Sequence, residues 1–137
     1  LGSDEERSTR GADEGQPHGP LYIFDVSDPD KLELLSTYHV PEGGSPYAEA
    51  SKTGGRFGAH QFREQMDDTR AYVTWFAAGL RIFDVKNPLA PEEIGYFIPE
   101  PGKGTTAPQT NDVAMDHRGL LYVTDKAHGF DVIEFTG

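Results

Sequence analysis

Two stretches of this chain carry the same phrase. LYIFDVSDP at 21–29 lies on LRIFDVKNP at 80–88 without a gap, with Leu, Ile-Phe-Asp-Val and Pro in register. A longer match joins the second copy to a third: AYVTWFAAGLRIFDV at 71–85 lies on LYVTDKAHGFDVIEF at 121–135, again ungapped. Tyr72, Val73, Thr74, Ala77 and Gly79 meet Tyr122, Val123, Thr124, Ala127 and Gly129. Upstream, HQFREQMDDTR at 60–70 lies on NDVAMDHRGL at 111–120 with a deletion in a polar stretch, where a hairpin turn tolerates it. The repeat length is about 50 residues, and a period near that value, made of short strands and Gly/Asp turns, signals a β-propeller with one four-stranded antiparallel sheet per period. A duplicated β-sandwich hairpin is the structural alternative.

The middle copy reads as a full blade. Its innermost strand runs from about His60 to Glu64 and is followed by a turn over 65–69. Arg70–Trp75 is the second strand, Phe76–Ala78 a turn, and Gly79–Val85 the third strand. KNPLAP at 86–91 is the next turn, because proline has no N–H to give a central ladder, and Glu93–Ile98 is the fourth strand. The expected organisation is a polar flexible segment or intra-blade loop over 1–19, then blades over 20–137: a partial blade at 20–41, a full blade at 58–99 and a three-stranded final blade at 108–137. The fold class is therefore all-β, a propeller segment of about two and a half blades, whereas closed rings use about four or more. Such a wedge exposes an apolar sheet face at each end, so the remaining blades are expected on the same precursor or on another chain. The final blade lacks a fourth strand after Phe135, and propellers often close by taking that strand from the other end of the chain, so the missing blades are expected before Leu1 and Gly137 is expected to be a natural end.

Composition agrees with short strands and many turns: the chain of 137 residues holds 16 Gly and 10 Pro, and 36% of it is hydrophobic. A formal net charge of -11 repels phosphate backbones, so nucleic acid is not an expected partner. The absence of cysteine excludes disulfides, thiolate metal sites and Cys nucleophiles. No apolar run approaches the roughly 18 residues a helical membrane span needs. Nothing fixes the compartment; an extracytoplasmic one is slightly favoured.

The phrase L-x-I-F-D-V-x-x-P, followed by a strand ending in Tyr, resembles the LVIVD-repeat family of β-propellers, whose repeats read like LRVVDVSDPANPVLVGSY. RFGAHQF at 56–62 and PQTNDVAMDHRGLLYVTD at 108–125 are similar to segments of longer bacterial and archaeal members. The resemblance covers about residues 20–135 and implies the propeller fold. It also implies that the Asp-rich stretch before PLYIFDV is a loop inside a blade. It implies little about activity, because sites are grafted onto folds and not dictated by them.

Chemistry is expected where the innermost strands begin. His60 and Gln61 lead one such strand, and Asn111 and Asp112 lead the next at matching positions. Imidazole and carboxylate suit a divalent transition metal, so His60 and Asp112 are candidate metal ligands, with His128 as a further one if its turn shares the same mouth. Gln61, Asn111, Arg56 and Tyr47 are candidates for binding a small-molecule ligand, Tyr47 from the long Gly/Ser-rich segment 42–58. The plainer alternative is that these groups satisfy strand ends and line a water-filled channel. The leading functional expectation is a binding or scaffold module whose axial channel holds a metal or small ligand. One alternative is a metal-dependent hydrolase or oxidoreductase with Asp112 as its acid–base group. The other is a purely structural interaction surface.

Overall fold

The computed structural model describes residues 2–3, 19–47, 56–66 and 68–137, and it is all-β. Strands β1 (Gly2–Ser3), β2 (Leu21–Asp25) and β3 (Glu33–Tyr38) form sheet I. Strands β4 (Arg70–Thr74), β5 (Leu80–Asp84) and β6 (Glu92–Phe97) form sheet II. Strands β7 (Thr110–Met115), β8 (Leu120–Asp125) and β9 (Gly129–Glu134) form sheet III. Every neighbouring pair is antiparallel and consecutive in sequence.

The repeated phrase is one strand in two sheets, and even its irregularity repeats. The β2–β3 ladder shifts register between Ile23 and Phe24, and the β5–β6 ladder shifts between the matching Ile82 and Phe83. Each phrase then ends in an Asx-type turn: Asp25 accepts from the Ser27 amide, and Asp84 from the Lys86 amide, both at 2.8 Å. Sheet II also continues beyond β4, on the side away from β5. The His60 amide donates to the Thr74 carbonyl, the Thr74 amide to the Gln61 carbonyl and the Arg63 amide to the Tyr72 carbonyl, over 2.8–3.0 Å. An irregular inner strand therefore lies where the repeat alignment expects one. Regular structure begins earlier than Pro20, because Gly2 and Ser3 pair with Tyr22 and Leu21. Residues 4–18 thus link two neighbouring strands of one sheet, and they lie outside the described residues together with 48–55.

Sheet II is buried on both faces, which is why β4 and β5 read as nearly continuous apolar runs. Alternation sends Ala71, Val73 and Phe83 into one core cluster, shared with Leu21 and Val40. Tyr72, Leu80 and Ile82 enter a second cluster with Val113, Leu121 and Val123 of sheet III. Sheet I is tied to sheet II by polar contacts as well: Ser36 Oγ donates to the Pro88 carbonyl at 2.6 Å, and the Tyr38 hydroxyl donates to Glu93 at 3.1 Å. The Tyr38 and Phe83 rings meet edge to face at 4.7 Å.

Arg81 is the one buried cation among the described residues. Its Nη1 pairs with Glu93 at 3.0 Å, its Nε donates to the Ala78 carbonyl at 2.8 Å, and its Nη2 donates to the Gly44 carbonyl at 2.5 Å. It locks β5 to β6 and to the 3₁₀ turn Glu42–Gly44.

Candidate functional site

The site is built on the turn that joins β4 to β5. The chain reverses over Trp75–Gly79, closed by the Trp75 amide donating to the Gly79 carbonyl at 2.7 Å and the Gly79 amide donating to the Phe76 carbonyl at 3.0 Å. Gly79 has φ +76, and a Cβ there would overlap the Phe97 carbonyl, so the position requires glycine. Phe76 also lies in the left-handed region, at φ 44, although it carries a large aromatic side chain and is wholly buried. Such a conformation costs on the order of 1–3 kcal/mol and persists where the surroundings over-determine it.

Those surroundings are specific. Phe76 bridges to Phe57 on one side and to Thr110 of β7 on the other. The His60 ring stacks on the Phe76 ring at 4.4 Å, and the Arg56 guanidinium and Lys126 ammonium lie 5.3 and 5.6 Å from its centroid. Phe76 thus gathers the inner strand, the segment before it, β7 and the β8–β9 turn.

His60 and Asn111 are brought together. The His60 Nε2 to Asn111 Oδ1 distance is 3.0 Å, and His60 is 7% exposed. A β-bulge makes this reach possible: the β7–β8 register skips from Thr110 to Asp112, so Asn111 stands outside the ladder and is re-aimed. Thr74 fastens the pair from below, its hydroxyl lying 3.0 Å from the Asn111 carbonyl and 3.1 Å from the Gln61 carbonyl.

Gln61 and Asp112, one residue further along each strand, line one groove. With Phe62, Arg63, Glu64 and Met115 they line an open groove of about 260 Å³ between the inner strand and β7. The groove presents a guanidinium, carboxylates and carboxamides, so it offers hydrogen-bond donors and acceptors of both charge signs. Asp112 is exposed there, and its Oδ1 accepts from the Val113 amide at 2.8 Å.

The three residues expected to share a metal have separate partners. His60 holds Asn111, Asp112 lines the groove, and His128 Nε2 lies 3.8 Å from Asp131 on β9. Among the described residues no group of three or more His, Asp or Glu side chains is placed to hold a metal ion. Tyr47 is anchored near the same turn: its amide donates to Ser45 Oγ, which in turn donates to the Ala77 carbonyl at 2.7 Å. The Tyr47 hydroxyl donates to Glu100 at 3.2 Å, and lost solvation followed by that hydrogen bond pushes its phenol up. The Arg56 amide donates to Gln109 Oε1 at 3.1 Å.

Sequence reading missed Phe76, Thr74, Gln109 and Asp125. Asp125 is buried and accepts from the amides of Gln109, Ala127 and His128, which shapes the β8–β9 turn that carries Lys126. Its signal was present: Asp125 follows Thr124 where Trp75 follows Thr74, and a carboxylate replacing an indole at a repeat position marks a changed job. Phe76 aligns with Lys126, and only the fold shows that one lies over the other.

Comparison with protein-family models, with curated proteins and with solved structures returns no match.

Proposed function

We propose that the three sheets are consecutive blades of a β-propeller-type module that binds a small polar ligand, a divalent cation included, in the groove between the inner strand and β7. The observation that carries this reading is the His60–Asn111 contact, made by residues at equivalent positions of neighbouring repeats. It joins the leading ends of two inner strands and sets Gln61 and Asp112 on one groove. The matching register shifts, the burial of sheet II on both faces and the resemblance of the repeat to LVIVD propellers support the same arrangement. A strained aromatic beneath the pair is the kind of feature that collects at ligand sites.

The test is a backbone chemical-shift titration with Ca²⁺, Mn²⁺, Zn²⁺ and a panel of amino acids, dicarboxylates and sugars. The expected result is a saturable set of shifts confined to residues 60–65 and 111–115 and weakened at least about tenfold in Asp112→Ala, roughly 1.4 kcal/mol. Shifts that scatter over the surface, or that survive unchanged in Asp112→Ala and Gln61→Ala, refute the groove as a binding site. The burial of His60 against Asn111 favours a second reading, in which the pair is a clamp alone. On that reading Asn111→Ala lowers stability and no titrant produces a localised response.

A further inference from the structure

A second pocket, of about 270 Å³, opens between sheets II and III beside the turns that lead into β4 and β8. Three of the chain's twelve Lys and Arg residues line it: Arg63 from the inner strand, Arg70 from the start of β4 and Arg118 from the β7–β8 turn. In a chain of net charge -11, that concentration is a place where an anion meets donors instead of repulsion. The repeat itself does not ask for arginine here. Leu120 stands at the Arg70 position, just ahead of the ungapped match of 71–85 with 121–135, and it pairs with Glu134 as Arg70 pairs with Asp84.

The guanidiniums are held without being used up. Arg70 lies over the Phe135 ring, 5.5 Å from its centroid, which restrains the group. Its Nε is 3.7 Å from Asp68 Oδ2, beyond hydrogen-bond reach, and among the described residues its guanidinium makes no hydrogen bond. Arg118 is gripped through two of its nitrogens. Its Nε donates to Asp116 Oδ2 at 2.8 Å, and its Nη2 lies 2.7 Å from the same oxygen and 3.2 Å from the Tyr122 hydroxyl. Its Nη1 has no hydrogen-bond partner among the described residues. The two side chains are 44% and 58% exposed, so a solute reaches both. An oriented guanidinium with N–H groups to spare matches the planar fork of a carboxylate.

The rest of the lining sets the kind of ligand. Tyr72, Met115 and Phe135 belong to the core cluster between sheets II and III, and they give the pocket an apolar wall. The volume lies just below the roughly 300 Å³ at which most ligand pockets begin, so the occupant is small. Asp68 and Glu134 in the lining, and Asp116 against Arg118, offset most of the positive charge. Such a balance suits one negative charge better than the roughly −1.5 to −2 of a phosphate monoester.

We propose that this pocket binds a small organic monocarboxylate, its carboxylate taken by the Arg70 and Arg118 guanidiniums and its carbon body lying on Tyr72, Met115 and Phe135. Arg63 and Met115 also line the groove proposed above, but this site is built on other side chains and does not rest on that reading.

The test is a backbone chemical-shift titration of the whole chain with benzoate, acetate and inorganic phosphate, at low and at physiological salt. Benzoate is expected to give saturable shifts at residues 70–72, 118–119 and 134–135, weakening as salt rises. It is expected to bind at least about fivefold more tightly than acetate, because its ring covers the apolar wall. Arg70→Gln and Arg118→Gln are each expected to weaken benzoate at least about tenfold with the far-ultraviolet circular dichroism unchanged. Arg70→Gln is the cleaner of the two, because Arg118 also anchors its own turn through Asp116. Asp112→Ala is expected to leave benzoate binding unchanged, which separates this pocket from the groove. The absence of a saturable benzoate response overturns the proposal, and so does a response that Arg70→Gln leaves intact. Phosphate or acetate binding as tightly as benzoate overturns the ligand class. Loss of the benzoate response in Asp112→Ala assigns the ligand to the groove and overturns a separate site. Benzoate shifts that persist where the groove titrants produce none support this site and count against the groove alone.

Discussion

Replacing Arg81 by methionine keeps an unbranched apolar stem and deletes the guanidinium. Four contacts go with it: the ion pair to Glu93, the hydrogen bonds to the Ala78 and Gly44 carbonyls, and the guanidinium's place over the Tyr96 ring, 5.0 Å from its centroid. The Arg81 side chain is 3% exposed and that of Glu93 is 20%, so the carboxylate left behind rehydrates only in part. Removing one partner of a buried pair costs about 3–5 kcal/mol, most of it the penalty of the orphaned charge. The exposed fifth of Glu93 favours the lower half of that range, and the stranded carbonyls add about 1 kcal/mol between them, giving about 4 kcal/mol in all. With an unfolding entropy of about 2.1 cal/mol/K per residue, a chain of this length loses roughly 14 °C in Tm for that change. Urea denaturation and calorimetry at one fixed protein concentration measure it. The double variant Arg81→Met/Glu93→Leu is expected to recover more than half of the loss, because it removes the unpaired charge. A single-variant cost below about 1 kcal/mol refutes the view of Arg81 as a buried lock. A double variant no better than Arg81→Met refutes the assignment of the cost to Glu93.

Gly79→Ala is expected to cost at least about 2 kcal/mol in denaturant melts, because it combines a positive φ with overlap onto the Phe97 backbone. Gly119→Ala has a similar φ of +85 but meets open space, so its cost is expected to stay near the 1 kcal/mol of the backbone penalty alone, and equal costs would contradict the steric part. Asp116 organises the β7–β8 turn by accepting from the amides of Arg118 and Leu120 and from the Arg118 guanidinium. Lost solvation raises its carboxyl, but the Arg118 contacts and the two amides outweigh that and bring it to about 2 from 3.8. Its folded value lies below the unfolded one, so its contribution to stability is complete above about pH 3.8 and is lost as pH falls through about 2. A carboxyl carbon NMR titration reads this directly: a midpoint near 2 is expected, and one at or above 3.8 contradicts the turn geometry.

The sequence by itself determined the sheets. The phrase at 21–29 and 80–88 became β2 and β5, and its copy at 129–134 became β9, because strand period, turn residues and the cost of a proline in a ladder are local facts. Equivalent inner-strand positions were legible for the same reason, so His60 and Gln61 could be set beside Asn111 and Asp112 before any coordinates. What tertiary structure alone decided is which of these touch, and what they touch. A skipped register at Asn111 turns that side chain onto His60, whereas Asp112 keeps its place in the ladder and faces the groove. Of the residues expected to share a metal, His60 lies on Asn111 and Phe76 through contacts that only the fold makes, whereas His128 lies beside its near neighbour Asp131. Phe76 was invisible to reading because nothing local favours a buried aromatic at positive φ. Only the packing of four separate segments around it holds it there, and that energy exists only once the sheets have come together.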